Sequence, residues 1–410
     1  MKQQSKFANV LRPTRPLPEP GARWQRGDRC RAGKSILLLL LLLTGFAAPA
    51  QSPALQTLEF LHDLKLSAPA PAPLPASGPG SVVYAIGSGA GAAGPALRAG
   101  LQLAAAPDSV TIRVTASHPG LGTAIQTVAG RAGPRTLELR FRPTAAPAIE
   151  ATDLTLLWEA KTGSGPWQRF ASSRHRLYWV LAAPGAPWAG LPEPDGGHAL
   201  WTAMLELSCQ AAAGTRTPEQ AASAVTRFVH GGRAGAAAPT KFQYNPMLPD
   251  ANLTHLDAVA NRYVVRTQQV QALLASLQNP AMTHLQLNCY DAAGCVQLLG
   301  NALGCTLKRV KVNSAYYLVT HKLVPMGFTK PAKADFRVHC VAWSGPLDER
   351  GLVYDACFAL PAAAPASAPD TPLAALLFGH SRQPGSYAAT VFTNKEDFYL
   401  TPLPALLIRQ

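Results

Sequence analysis

Leu287-Asn-Cys-Tyr-Asp-Ala-Ala-Gly-Cys-Val-Gln-Leu-Leu-Gly-Asn-Ala-Leu-Gly-Cys305 is the stretch on which the reading of the fold turns. Ala292, Ala293, Val296, Leu299 and Leu303 recur at i, i+3, i+4 spacing, which predicts a helix with one apolar face. Asn288 is a suitable N-cap and Gly304 a suitable C-cap, so Cys289 falls in the first turn. Unpaired backbone N–H groups and the positive end of the helix dipole favour a thiolate there. The same N–H groups can face a developing oxyanion. Cys295 and Cys305 fall mid-helix and beyond the helix, and lack that placement.

A thiolate nucleophile needs a base, and the base needs a third group to hold it. Downstream, Asp335-Phe-Arg-Val-His-Cys-Val-Ala-Trp343 and Leu352-Val-Tyr-Asp-Ala-Cys-Phe358 read as consecutive strands across a turn at Ser344–Arg350. Antiparallel neighbours of that kind can set His339 and Asp355 on one face. A carboxylate inside so apolar a strand requires a partner, and imidazole is a good one. Gln286 and Asn288, close to the cysteine in sequence, are candidate side-chain donors to an oxyanion. His284 and His321 are alternative bases, and Tyr290, Trp343 and Tyr354 read as core or cleft-wall residues. The competing reading of Cys289 is a half-cystine paired with Cys209 or Cys340.

A cysteine opening a helix that ends Ala302-Leu303-Gly304, then a histidine strand ending in Trp343, then Tyr354-Asp355 in the next strand resembles the transglutaminase-like superfamily of papain-like thiol enzymes. The resemblance covers roughly residues 218–360. It departs from the family pattern in two places: Trp343 stands four residues after His339, and Leu287-Asn288 occupy the place of the usual glycine before the nucleophile. The resemblance implies catalytic Cys289, His339 and Asp355, acyl transfer through a thioester, and no cofactor. Water would then give peptide or amide hydrolysis, and an amine would give protein cross-linking. A chain that keeps the fold as an inactive binding scaffold, or serves as an effector delivered to another cell, is the alternative.

Upstream of the decisive stretch the pattern is helical from about His198. Thr217 as N-cap, Pro218 at the first position and Gln220 three residues after the cap predict a helix whose buried face is Ala221, Ala224, Val225, Phe228 and Val229. A strand at Lys241–Tyr244 and a long helix from Leu253 to Leu277 are expected to follow. Helices first and an antiparallel sheet afterwards is an α+β order. Between Ser81 and Trp188 the period shortens to two. Val110–Val114, Thr136–Phe141, Leu154–Trp158 and Arg176–Val180 alternate between Gly/Pro/Ser turns, which predicts an immunoglobulin-like β-sandwich. The expected organisation is a leader at 1–50, an amphipathic helix at Ser52–Leu66 with a Pro/Ala linker to residue 80, a sandwich at 81–190 and a transglutaminase-like domain at 198–410.

The chain has 410 residues, 48% of them hydrophobic, and a formal charge of +14. That charge suggests nucleic acid until it is located: residues 1–34 hold nine Lys or Arg against two acids, half of the excess. No basic stripe interleaved with aromatics follows, so no nucleic-acid partner is expected. The basic block instead precedes Ile36–Leu43 and then Ala48-Pro-Ala50, the pattern of a signal peptide cut near Gln51. The long n-region also suits a start downstream of Met1 or a retained anchor, the one case in which a membrane is a partner. Secretion or periplasmic export is expected, with a bacterial origin suggested by the Ala/Pro-rich composition. Protein or peptide substrates, cell-wall peptide among them, suit that location. Seven cysteines include Cys30 in the leader. The remaining six contain no C-x-x-C pair and no zinc-finger spacing, so no metal site is expected from the pattern. If Cys289 is a free nucleophile, at most two disulfides can form among the others.

Overall fold

The computed structural model describes residues 53–64, 80–86, 94–104, 109–188, 200–231, 242–246, 248, 253–257, 262–278, 285–361, 371–380, 382–393, 397–404 and 406–409. The leader, the Pro/Ala linker and His284 lie outside the described residues. Residues 51–410 form one compact unit. It is an α+β structure with two apolar cores.

Eight strands come first: β1 (Ala54–Leu61), β2 (Ser81–Ala85), β3 (Ala96–Leu103), β4 (Ser109–Ala116), β5 (Thr123–Ala129), β6 (Gly133–Arg140), β7 (Glu150–Thr162) and β8 (Gln168–Val180). They make a three-stranded sheet in the order β1-β3-β6 and a five-stranded sheet in the order β2-β8-β7-β4-β5. Every pairing is antiparallel except β2 with β8. Strict alternation does the sorting: Val110, Ile112 and Val114 turn inward on β4, and Leu154, Leu156 and Trp158 on β7. With Leu97, Leu101 and Leu103 of β3 they enclose one of the two cores.

The expected helix at Ser52–Leu66 is instead strand β1. A bulge between Leu55 and Thr57 shifts its register on β3, so the core-facing residues Leu55, Leu58 and Phe60 follow a 3-then-2 spacing. That spacing imitates a helical face. The expected helix from Leu253 to Leu277 also divides, into β10 (His255–Asp257), β11 (Arg262–Arg266) and α3 (Thr267–Gln278). Val264-Val265-Arg266 of β11 pairs in parallel with Leu407–Arg409, a partner about 140 residues away that no local pattern reveals.

The second core is built around α4 (Cys289–Ala302), with α1 (Thr202–Ala211) and α2 (Pro218–His230) beside it. Short strands β9 (Phe242–Tyr244) and β12 (Leu285–Leu287) pair in parallel and lead the chain into α4. The strands of the main sheet follow, β13 (Lys308–Val319), β14 (Val324–Pro325), β15 (Asp335–Ser344), β16 (Leu352–Leu360), β17 (Thr371–Leu377) and, after the short helix α5 (Tyr387–Val391), β18 (Phe398–Pro402); the final strand β19 (Leu407–Arg409) joins β10 and β11 instead. The order of the main sheet is β14-β16-β15-β13-β18, with β17 also on β16. The single apolar face expected of α4 proves too narrow. Every residue of the helix except Tyr290 is buried, because the sheet, α1, α2 and the segment after β8 enclose it on all sides. Among the described residues no helix is long and apolar enough to cross a membrane.

Candidate active site

Asn288 sits just ahead of α4 in an extended conformation, and its Oδ1 accepts the Asp291 N–H at 3.1 Å. Its carbonyl takes the Ala292 N–H at 3.0 Å. These bonds start the helix at Cys289, which is 8% exposed. Asp291, one turn in and fully buried, anchors the incoming chain by accepting the N–H groups of Leu253 at 2.8 Å and Thr254 at 3.0 Å. Two side chains of the first turn thus hold the thiol's position.

The imidazole arrives on β15 and the carboxylate on β16. These strands pair Ala342 with Tyr354 and Trp343 with Val353. Continuing that register makes His339 and Asp355 diagonal neighbours on one face. His339 Nε2 donates to Asp355 Oδ2 at 2.9 Å, with His339 0% and Asp355 1% exposed. The carboxylate is fully engaged: Oδ1 accepts the Cys357 N–H at 2.8 Å, and Oδ2 also accepts the Tyr387 O–H at 2.8 Å. Phe336 and Phe358 pack on the imidazole with ring centroids 5.0 and 5.5 Å away.

Electrostatics follow from this enclosure. Burial by itself would depress the imidazolium of His339. The charge and hydrogen bond of Asp355, joined by smaller contributions from the Cys289 thiol, outweigh it and raise the pKa to about 10. Burial likewise works to raise Asp355, yet His339, Tyr387 and the Cys357 N–H hold it below the ordinary carboxylate range. The Nδ1 atom of His339 makes no hydrogen bond of standard geometry. The described cysteines are all free thiols, so Cys289 is not paired with Cys209 or Cys340. Burial raises the pKa of Cys209, Cys295, Cys305, Cys340 and Cys357, which keeps each of them a neutral thiol.

The other candidates occupy other roles. Gln286 is exposed, and its Oε1 accepts from Asn245 Nδ2 at 2.8 Å. Asn288 uses its side-chain oxygen as the helix cap. His321 is exposed on the loop after β13. Tyr387 was missed by local reading: it lies 32 residues beyond Asp355 in a five-residue helix, with no motif around it, and is fully buried against the carboxylate. Tyr244 is a second omission. It is buried at the end of β9, where burial and the nearby Cys357, Cys289 and Asp355 raise its phenol well above the usual value. His339, Asp355 and Cys357 also bring ligand-type atoms within 4.8 Å of one another.

No family model matches this chain, and no curated protein does. Among solved structures it is similar to red sea bream transglutaminase. That similarity has a TM-score of 0.34 and 11% sequence identity, and covers 68% of this chain and 49% of the other. The chain therefore spans about half the length of that protein.

Proposed function

We propose that this chain is a transglutaminase-like thiol enzyme that transfers acyl groups through Cys289, His339 and Asp355, with hydrolysis of a peptide or amide bond as its main outcome. The observation that carries this reading is the buried His339–Asp355 hydrogen bond at 2.9 Å, on an imidazole that the first-turn thiol of α4 also acts upon. Asp355 orients the ring, and His339, charged below about pH 10, holds the proton of the thiol–imidazole pair as the sulfur attacks a carbonyl carbon. The leaving amine departs with that proton, and a thioester remains on Cys289. Water, deprotonated by His339, then releases the acid and restores the thiol; an amine in place of water forms a new amide. Asn288 satisfies the N–H groups of Asp291 and Ala292, which leaves the Cys289 amide to face the oxyanion.

The two-sheet N-terminal half fits an immunoglobulin-like sandwich that presents substrate or tethers the enzyme. The leader fits export, and an exported enzyme of this kind would meet protein or cell-wall peptide. The scaffold reading draws on one observation, the near-complete burial of His339 and Asp355. Mass spectrometry of a glutamine-donor peptide incubated with the protein, with and without a primary amine, separates these readings. Deamidation or a cut bond is expected, absent in Cys289→Ala. An amine adduct as the main product would make the protein a cross-linker. No product, together with equal and slow iodoacetamide labelling of Cys289 in wild type and His339→Gln, would leave the scaffold.

A further inference from the structure

Cys357 has no part in the acyl-transfer reading, yet it stands beside the residues that do. It follows Asp355 by two positions on β16, its N–H is bonded to Asp355 Oδ1 at 2.8 Å, and it is 1% exposed. One nitrogen of His339, one oxygen of Asp355 and the Cys357 sulfur all lie within 4.8 Å of one another. Around a tetrahedral zinc ion, with metal–sulfur bonds near ~2.3 Å and metal–nitrogen or metal–oxygen bonds near ~2.0–2.1 Å, ligand atoms sit about 3.3–3.6 Å apart. The nitrogen–oxygen pair at 2.9 Å is already at nearly that separation, and the sulfur has a short distance to close.

We propose that His339, Asp355 and Cys357 form a zinc site that holds the thiol centre in a metal-blocked resting state. The mixed nitrogen, oxygen and sulfur set suits zinc better than a hard ion such as magnesium or calcium. The surroundings already resemble those of a metal site. Tyr387 O–H and the Cys357 N–H orient the carboxylate, and Phe336 and Phe358 wall the imidazole from water. Phe336 is itself only half-buried, the most exposed of the residues around the set. On binding, two protons leave to solvent, one from the Cys357 thiol and one from between His339 Nε2 and Asp355 Oδ2. Three protein ligands leave the fourth tetrahedral position open. With Nε2 on the metal, His339 can no longer accept the Cys289 proton with help from Asp355. The site itself does not depend on the acyl-transfer reading; only this silencing of Cys289 rests on it. Sequence spacing hides the set, because one ligand comes from β15 and two from β16.

The test uses the full chain, stripped with a chelator and desalted. Competition against a chromophoric chelator is expected to show one zinc bound per chain. Cobalt in its place should give tetrahedral d–d bands and a thiolate-to-metal charge-transfer band. Loss of an outer-shell partner alone weakens metal binding by about 10–100-fold, so Cys357→Ser and Asp355→Asn should each weaken it by more than roughly a hundredfold. The charge-transfer band should vanish in Cys357→Ser and persist in Cys289→Ser. Circular dichroism is expected to show that these near-isosteric variants fold. No zinc uptake at micromolar concentration, or undiminished uptake with an unchanged band in Cys357→Ser, overturns the site. So does a band that depends on Cys289 and not on Cys357. None of these readouts needs turnover, so the proposal and the enzyme reading fail separately.

Discussion

At His339 burial and charge pull in opposite directions, and charge wins. The folded pKa near 10 lies above the ordinary value of 6.5. The ion pair therefore contributes stability that is full below about pH 6.5 and fades as pH rises through 10. Asp355 is depressed, so its share is full above its unfolded value of about 4 and fades as pH falls through the lower folded value. Thermal melts of wild type and His339→Gln in chelator should accordingly differ most between about pH 4 and 6.5, and converge towards pH 10. At the lower pH the variant should lose about 3–5 kcal/mol, because it leaves a buried carboxylate without its counter-charge. Tyr387→Phe tests the same carboxylate from the other side. Removing an O–H donated to a charged acceptor should cost about 1.5–3 kcal/mol in urea unfolding. If Asp355 positions the base, it should also lower kcat with little change in KM. The three proposed catalytic residues could be picked out locally, since each follows from the type of element it occupies. Tyr387 could not, since only chain folding brings α5 to Asp355.

At the scale of the element, α4 shows how much a helix owes to its ends. Asn288→Ala removes the cap and should cost about 1 kcal/mol. Because Cys289 is the next residue, iodoacetamide labelling at that thiol should change as well. The other end depends on Gly304, whose φ of +88° suits glycine. A Cβ there would lie 2.6 Å from the Ala182 backbone nitrogen and oxygen. Gly304→Ala should thus cost more than the roughly 1 kcal/mol of left-handed strain alone, visible as a lowered urea midpoint. The caps were legible because capping chemistry is local: Thr217 accepts the Gln220 N–H at 3.3 Å as its spacing implies. The Gln220 side chain, however, reaches Arg216 rather than closing the box on Thr217. Strand β1 and the division of residues 253–278 were not legible. A bulge disguises the period of the first, and a distant parallel partner decides the second.

Across the whole molecule the N-terminal half completes the site-bearing helix. The last-turn carbonyls of α4 need donors, and several come from the segment leaving β8. Leu181 N–H reaches Leu303 O at 2.9 Å, Gly185 N–H reaches Asn301 O at 2.8 Å, and Trp188 Nε1 reaches Leu298 O at 2.8 Å. Ile149 and Thr215 exchange a further bond at 2.8 Å, and Arg176 on β8 pairs with Glu206 on α1. Val83, Ile149, Tyr178 and Val180 belong to the same apolar core as α4. A fragment of residues 198–410 should therefore fail to unfold cooperatively in urea, and its near-ultraviolet circular dichroism should be weak. A sharp transition at the full-length midpoint would show that the β-rich half is dispensable.

What the amino-acid order determined by itself is what local physics controls: the α+β succession, the capped start of α4 that places Cys289, and strands able to carry His339 and Asp355. Period, caps and turns act over a few residues and can be read there. Only the tertiary structure decided that the helix is enclosed on every side, that Tyr387 joins Asp355, and that Gln286 bonds Asn245. Those outcomes depend on pairings across tens to hundreds of residues, where many partners satisfy the same local pattern and packing selects among them. The first-turn cysteine could be seen in nineteen letters; the enclosure that gives it a partnered imidazole could not.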